Sequence, residues 1–389
     1  MEEDAEQVTH SWVPSWFPVW CPTSMAQLKA VEGKILAGIK TQFDCRYVSL
    51  PSNNNHIWTL TVSPEGGDKR TPLVLVHGFG GGLGLWVQNL EALSQRRTVH
   101  AFDLLGFGRS SRPPFPSDPE AVEAAEFVNS IEGWRAELGL SDMILLGHSL
   151  GGFLAASYTI KTPREVRHLI LVDPWGFAER PSDLSQTWNP PIWVKAVAIV
   201  LGRFNFLAML RAAGPWGPSL VQRFRPDLKR KYEERFDDDT ILEYVYHCNA
   251  QTPSGETAFK VLAESFGWAK RPMLGRIHMI PKEVPITMIF GSRSWIEPST
   301  GERVKRVRPD SYVQTMAIEG ASHHVYADRP EEFNSAVTKI CDSVPDAHSS
   351  HHTPASTLPP SPSSSSSTTT PALSNLAPAP ASLLSDSVV

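Results

Sequence analysis

Gly147-His148-Ser149-Leu150-Gly151 sets a serine between glycines, directly after the apolar run Met143 to Leu146 and directly before the helical pattern Gly152 to Lys161. A tight strand-to-helix turn needs residues without side-chain bulk, and it leaves the serine hydroxyl exposed as a nucleophile. The helix that follows aims its positive end and its unpaired N–H groups at the same point. Serine is a weak nucleophile until a base takes its proton and an acid orients that base. His323, in Gly320-Ala321-Ser322-His323 after the run Tyr312 to Ile318, is the expected base. Its neighbour His324 is the rival; Pro330, seven residues beyond His323, opens the last helical pattern and favours the former. Nucleophile first and histidine last is a known order for this constellation. The acid stays open between Glu297, shortly after the run Ile286 to Phe290, and Asp173, at the end of the run Leu169 to Val172; the expectation favours Glu297. Acyl transfer also needs donors for the developing oxyanion, each worth roughly 2.7–4 kcal/mol in the rate. His77-Gly78-Phe79-Gly80-Gly81-Gly82 can supply the N–H of Phe79, and the residue after the nucleophile supplies that of Leu150. A phosphate loop is the competing reading of those glycines, but no Lys-Ser/Thr pair follows them.

These residues must be held by a sheet. Between Thr71 and Leu171 short apolar runs alternate with helical patterns, the signature of stacked βαβ units in a parallel sheet. Leu73 to Val76, Val99 to Phe102, Met143 to Leu146 and Leu169 to Val172 are nearly continuous Val/Ile/Leu runs, as expected where helices cover both faces. Tyr47 to Leu50 and Ile57 to Val62, separated by Ser52 to Asn55, predict an antiparallel hairpin at the sheet edge. The pattern stops after Val172 and resumes with Ile286 to Phe290, Tyr312 to Ile318 and an amphipathic helix, Glu331 to Cys341. The expected organisation is a Trp-rich segment and lead-in helix over 1–45, a core over 46–173 and 283–344 interrupted by a cap over 174–282, and a disordered tail over 345–389. That tail is Ser, Thr, Pro and Ala with hardly a charge, a composition that cannot bury enough apolar surface to offset chain entropy.

With a net charge of -5 the chain carries no basic field for nucleic acid. Its four cysteines, Cys21, Cys45, Cys248 and Cys341, are too scattered for a zinc site or a disulfide framework. The first residues, Met1-Glu2-Glu3-Asp4, oppose the positive start of a secretory signal. The run Ile192 to Leu210 is interrupted by Lys195, Arg203 and Asn205, short of the roughly 18 apolar residues of a spanning helix. The expectation is a cytoplasmic protein, not secreted, that touches membranes or lipid droplets peripherally. Trp12, Trp16, Phe17 and Trp20 are the candidate contacts, since such aromatics settle at membrane interfaces; the bland reading is a strap packed on the domain. Arg223, Arg225, Lys229, Arg230 and Lys231 could meet anionic headgroups, although Asp227 and Glu233 among them suit a plain solvated face equally.

Longer motifs carry a resemblance. Trp16 to Ser24, His77 to Trp86, Phe102 to Pro113, Asp173-Pro174-Trp175-Gly176-Phe177 and Tyr246 to Gln251 resemble the α/β-hydrolase-domain family of lyso-N-acylphosphatidylethanolamine lipases and their catalytically silent, lipid-droplet-bound sibling, through Asp342. The resemblance implies an α/β-hydrolase fold with an eight-stranded, mostly parallel sheet. It further implies hydrolysis of ester-linked acyl chains of N-acylphosphatidylethanolamine and its lyso form, giving glycerophospho-N-acylethanolamine. The silent sibling has asparagine at the nucleophile position, where this chain has Ser149. Two alternatives stand beside the hydrolase: an adaptor at a lipid surface that regulates a lipase, and a lysophosphatidate acyltransferase, which the family associates with an H-x4-D pattern, here His323 to Asp328. The chain departs from the family in having Glu297 where relatives tend to have aspartate, and in its tail from Pro345. The expected chemistry draws on no metal and no organic cofactor. Trp175, Trp193 and Phe204 to Phe206 are expected to line an acyl channel in the cap.

Overall fold

The computed structural model describes residues 20–66, 70–180, 207–265 and 267–345. The strands are β1 (Phe43–Ser49), β2 (His56–Val62), β3 (Leu73–Val76), β4 (Val99–Phe102), β5 (Met143–His148), β6 (Val166–Val172), the short β7 (Ala263–Ser265) and β8 (Trp268–Ala269), β9 (Ile286–Gly291) and β10 (Val313–Ile318). Eight of them form one sheet in the order β1-β2-β4-β3-β5-β6-β9-β10, while β7 and β8 pair separately. β2 runs antiparallel to both β1 and β4, and every other pairing in this sheet, from β4 across to β10, is parallel. The expected eight-stranded α/β-hydrolase sheet is therefore present.

Side chains alternate between two cores across this sheet. Leu73 and Leu75 of β3 join one cluster, Val74 and Val76 the other, and all four have 0% exposure. Full burial of such a side chain contributes roughly 1.5–3 kcal/mol, which explains why the central strands read as unbroken apolar runs. The helix Leu150–Lys161 has its first ten residues buried. The helix Met25–Leu36 is capped by Ser24, whose Oγ accepts the N–H of Gln27 at 3.1 Å, and it packs against the helix Thr240–Ala250.

Between β6 and β9 the described residues form the helices Ala208–Ala212, Gly217–Phe224, Pro226–Lys231, Thr240–Ala250 and Ser254–Leu262. The basic run is not simply a solvated face, because Leu228 and Tyr232 within it are buried. Trp12, Trp16, Phe17, Trp193, Phe204 to Phe206, most of Ile192 to Leu210 and the tail from residue 346 lie outside the described residues. The chain order reverses between β3 and β5, so the loops leaving their carboxyl ends diverge around a crevice. Open α/β sheets bind ligands at such a switch point.

Candidate active site

β5 ends at His148, and Ser149 turns the chain into the helix Leu150–Lys161 with φ +53° and ψ −119°. Such a conformation costs a side-chain-bearing residue on the order of 1–3 kcal/mol and needs surroundings that enforce it. Here the enforcement is close approach. A Cβ on Gly147 would lie 2.3 Å from the carbonyl oxygen of Gly151, and one on Gly151 would lie 2.4 Å from that of Val76. The turn is pinned further by Ser149 N–H donating to the Val172 carbonyl at 3.0 Å and by Trp175 N–H donating to the Ser149 carbonyl at 3.1 Å.

The loop after β10 brings His323 to this serine. Its Nε2 lies 3.0 Å from Ser149 Oγ, and its Nδ1 lies 2.9 Å from Asp173 Oδ2. Asp173, just past β6, has φ +45° and 0% exposure. Its carboxylate accepts the N–H of Gly291 at 3.2 Å and the hydroxyl of Ser294. Burial pushes the Asp173 carboxyl up to about 7, against those two donors. Burial likewise lowers His323 to about 3, and the positive charges of Arg225 and Lys231 add to the effect. Both directions favour a neutral imidazole at physiological pH, and a neutral imidazole with Nδ1–H toward Asp173 presents an unprotonated Nε2 to the serine hydroxyl.

The expectation that Glu297 is the acid is corrected by this geometry. Glu297 is exposed, and its Oε2 accepts the hydroxyl of Ser299 at 3.1 Å. Its carbonyl accepts Thr300 N–H at 3.1 Å, so the residue opens the helix Ser299–Val307, where a carboxylate is favoured by the helix dipole. From the β9 loop Ser294 supports Asp173, and Trp295 packs on His323 with ring centroids 5.1 Å apart. His324, the rival base, lines the same cavity but faces His148, with ring centroids 5.3 Å apart, while His323 holds both the serine and the acid.

Three contributors were not foreseen. His148, inside the Gly-x-Ser-x-Gly motif, donates Nε2–H to the His323 carbonyl at 2.8 Å, fixing the backbone that carries the base; its buried Nδ1 has no partner among the described residues. Lys231, at the end of the helix Pro226–Lys231, donates to Asp328 Oδ1 at 2.9 Å and to Ser322 Oγ at 2.8 Å. Asp328 in turn accepts Ser322 N–H at 2.8 Å. The Asp of the H-x4-D pattern is therefore an anchor between the cap and the His323 loop. Only the position of His148 within the motif could have signalled any of this.

The glycine-rich loop after β3 is set by buried polar groups. Asp103 accepts Leu83 N–H and Arg109 N–H, each at 2.7 Å, and His77 Nε2 accepts Leu104 N–H at 2.9 Å. Arg109 pairs with Glu32 at 2.8 Å and lies 3.5 Å over the Trp58 ring. This arrangement seats Gly78 against the nucleophile, where an added Cβ would meet Ser149 Cβ at 2.9 Å. Phe79 follows it into a cavity of about 700 Å³ that also contains Ser149 and His323 and is walled by Trp175, Leu210, Val221 and Phe259. Of the residues expected to line an acyl channel, Trp175 lines this cavity, and the others lie outside the described residues. A groove of about 780 Å³ at the amino ends of β9 and β10, lined by His168, Tyr312, Glu331 and Lys339, holds none of these groups.

A buried serine on a strained turn, a neutral imidazole and a buried carboxylate beneath an apolar cavity can carry out acyl transfer from an ester. The comparisons agree with that chemistry. A family model described as the alpha/beta hydrolase fold matches residues 71–330. The (lyso)-N-acylphosphatidylethanolamine lipase of Bos taurus is 68% identical, over 88% of this chain and 100% of that protein. The 1-acylglycerol-3-phosphate O-acyltransferase ABHD5 of Homo sapiens is 57% identical, over 86% of this chain and 95% of that protein. A bacterial membrane phospholipase A of known structure shares the fold with a TM-score of 0.57 at 24% identity, covering 82% of this chain and 91% of its own. The sheet order, the serine turn and the match from Thr71 to Pro330 together place this chain in the α/β hydrolase fold family.

Proposed function

We propose that this ester hydrolase removes ester-linked acyl chains from N-acylphosphatidylethanolamine and its lyso form, leaving glycerophospho-N-acylethanolamine. The observation that carries the reading is Ser149 Oγ at 3.0 Å from His323 Nε2 on the floor of an apolar cavity, in a chain 68% identical to a lipase of that name. His323 takes the hydroxyl proton as Oγ attacks the ester carbonyl, and Asp173 holds the imidazolium that forms. The N–H groups of Phe79 and Leu150 receive the oxyanion; losing one such donor costs about 10²–10³ in kcat. The imidazolium returns its proton to the departing glycerol oxygen, and a water activated by the same imidazole hydrolyses the acyl-enzyme.

The acyltransferase reading loses support because Asp328 is engaged by Ser322 and Lys231 while His323 is engaged by Ser149 and Asp173. The adaptor reading is disfavoured by an assembled nucleophile. Peripheral contact with a lipid surface through the Trp-rich segment is part of the proposal. Trp20 is 60% exposed and stacks edge-on with Trp216, 67% exposed, at 6.3 Å, and among the described residues no helix is long and apolar enough to cross a membrane. The test is fatty-acid release from lyso-N-acylphosphatidylethanolamine followed by mass spectrometry. Release by the wild type and none by Ser149→Ala is expected; equal release by both overturns the reading.

A further inference from the structure

Two cations, Arg225 and Arg293, line the cavity's mouth, and a third, Lys231, lies behind it bonded to the lining residue Ser322; their pairing is unequal. Lys231 is matched by Asp328 at 2.9 Å. Arg225 is matched by Asp227, with Nε and Nη2 each 3.0 Å from a carboxylate oxygen, so its Nη1 is left without a partner among the described residues. Arg293 donates Nε–H at 3.0 Å to the Gly320 carbonyl, to which its Nη2 also donates, and has no carboxylate partner among the described residues. Arg225 and Arg293 both line the cavity that contains Ser149. The mouth thus keeps one uncompensated positive charge and free guanidinium donors, although Asp227 also faces it.

Around these cations the mouth is apolar. Phe224 is 60% and Trp295 50% exposed, and Met209 lines it as well. Ser149, the apolar wall and both arginines line one cavity, so a lipid with its ester carbonyl at Ser149 and its acyl chain on that wall has Arg225 and Arg293 within the same enclosure as its glycerol end. Guanidinium groups with spare donors in a partly dry site suit phosphate oxygens, and hydrogen bonds to charged groups are about twice as strong as neutral ones.

We propose that Arg225 and Arg293 form a subsite for the phosphodiester of the lipid, so that the enzyme selects glycerol esters bearing an anionic headgroup over neutral ones. The proposal rests on the phospholipid-hydrolase reading and names the residues that read the headgroup. The balancing carboxylate of Asp227 keeps Arg225 oriented, and Arg293 supplies the unmatched charge.

The experiment compares kcat/KM for lyso-N-acylphosphatidylethanolamine and for an uncharged monoacylglycerol with the same acyl chain. Both are carried as dilute guests in nonionic micelles, so that surface charge is negligible. Wild type, Arg225→Gln, Arg293→Gln, the double variant and the two Arg→Lys variants are assayed at pH 8, where a change in His323 protonation does not enter, after thermal unfolding confirms that each is folded. The expected result is a fall of roughly tenfold in the anionic-to-neutral ratio for each Gln variant, a larger fall for the pair, and partial recovery with lysine. A ratio unchanged in both Gln variants, with lysophospholipid still hydrolysed through Ser149, overturns the subsite and leaves the hydrolase reading standing. Absence of Ser149-dependent release from lysophospholipid overturns both.

Discussion

Asp173 and Glu297 both follow strands that end at the site, yet their fates differ because of what each backbone does next. Asp173 adopts φ +45° and turns its carboxylate under His323, whereas Glu297 starts a helix and points to solvent. Replacing Asp173 by Asn keeps the shape but removes the acceptor that selects the Nδ1–H tautomer, so kcat should fall roughly 10⁴-fold. Glu297→Gln should stay within about twofold, as expected for an exposed residue far from buried features. Steady-state ester hydrolysis by the two variants checks this; the reverse pattern would restore Glu297 as the acid. The sequence made the nucleophile and base readable, because Ser149 and His323 sit at the ends of unmistakable apolar runs. It could not rank two acids whose difference is a backbone dihedral and the reach of Ser294.

At the scale of elements, the helix Pro226–Lys231 is joined to the loop of the base by a buried cation. Lys231 has 7% side-chain exposure and grips Asp328 and Ser322 immediately before His323. Its charge disfavours the imidazolium and is one cause of the lowered His323 value, after burial and Arg225. A protonated His323 cannot accept the serine proton, so kcat/KM should fall as pH drops through its apparent value, and that limb should lie below the ordinary 6.5. In Lys231→Met the repulsion is gone, the imidazolium is easier to form, and the limb should move to higher pH. A pH–rate profile in which it stays fixed or moves lower contradicts the coupling. Strands are legible from their composition: β3 and β4 coincide with the expected runs, while β5 extends two residues further, to His148, and β6 begins three residues earlier, at Val166. The Lys231 anchor was not, since 97 positions separate it from Asp328 and local pattern carries no trace of such pairings.

Across the whole molecule, ionisable groups in dry places link stability to pH. Burial lowers His77, His100 and His168 to about 4 each, His323 to about 3, and His148 and His324 well below 6.5. A histidine depressed in the folded state contributes stability that is present above the unfolded value of 6.5 and is lost as pH falls below it. Four acids act oppositely: burial raises Glu32 to about 7, Asp103 to about 6 and Asp173 to about 7, and it raises Glu256 too, so acidification relieves their cost. With His247, also lowered by burial, seven histidines outweigh four carboxyls between pH 7 and 5, and the unfolded chain takes up more protons than the native one. Thermal unfolding should therefore show Tm falling over that interval; a flat or rising Tm would mean that the acids dominate. None of this could be anticipated from composition, which reports thirteen histidines but not which of them are dry.

The most direct test of the central claim is labelling of the purified protein with a fluorophosphonate probe and mapping of the modified residue by mass spectrometry. The account predicts modification at Ser149 in the wild type and in Glu297→Gln, strongly slowed modification in Asp173→Asn, and none in Ser149→Ala. Labelling that persists in Ser149→Ala, or that disappears in Glu297→Gln while Asp173→Asn labels normally, would contradict it.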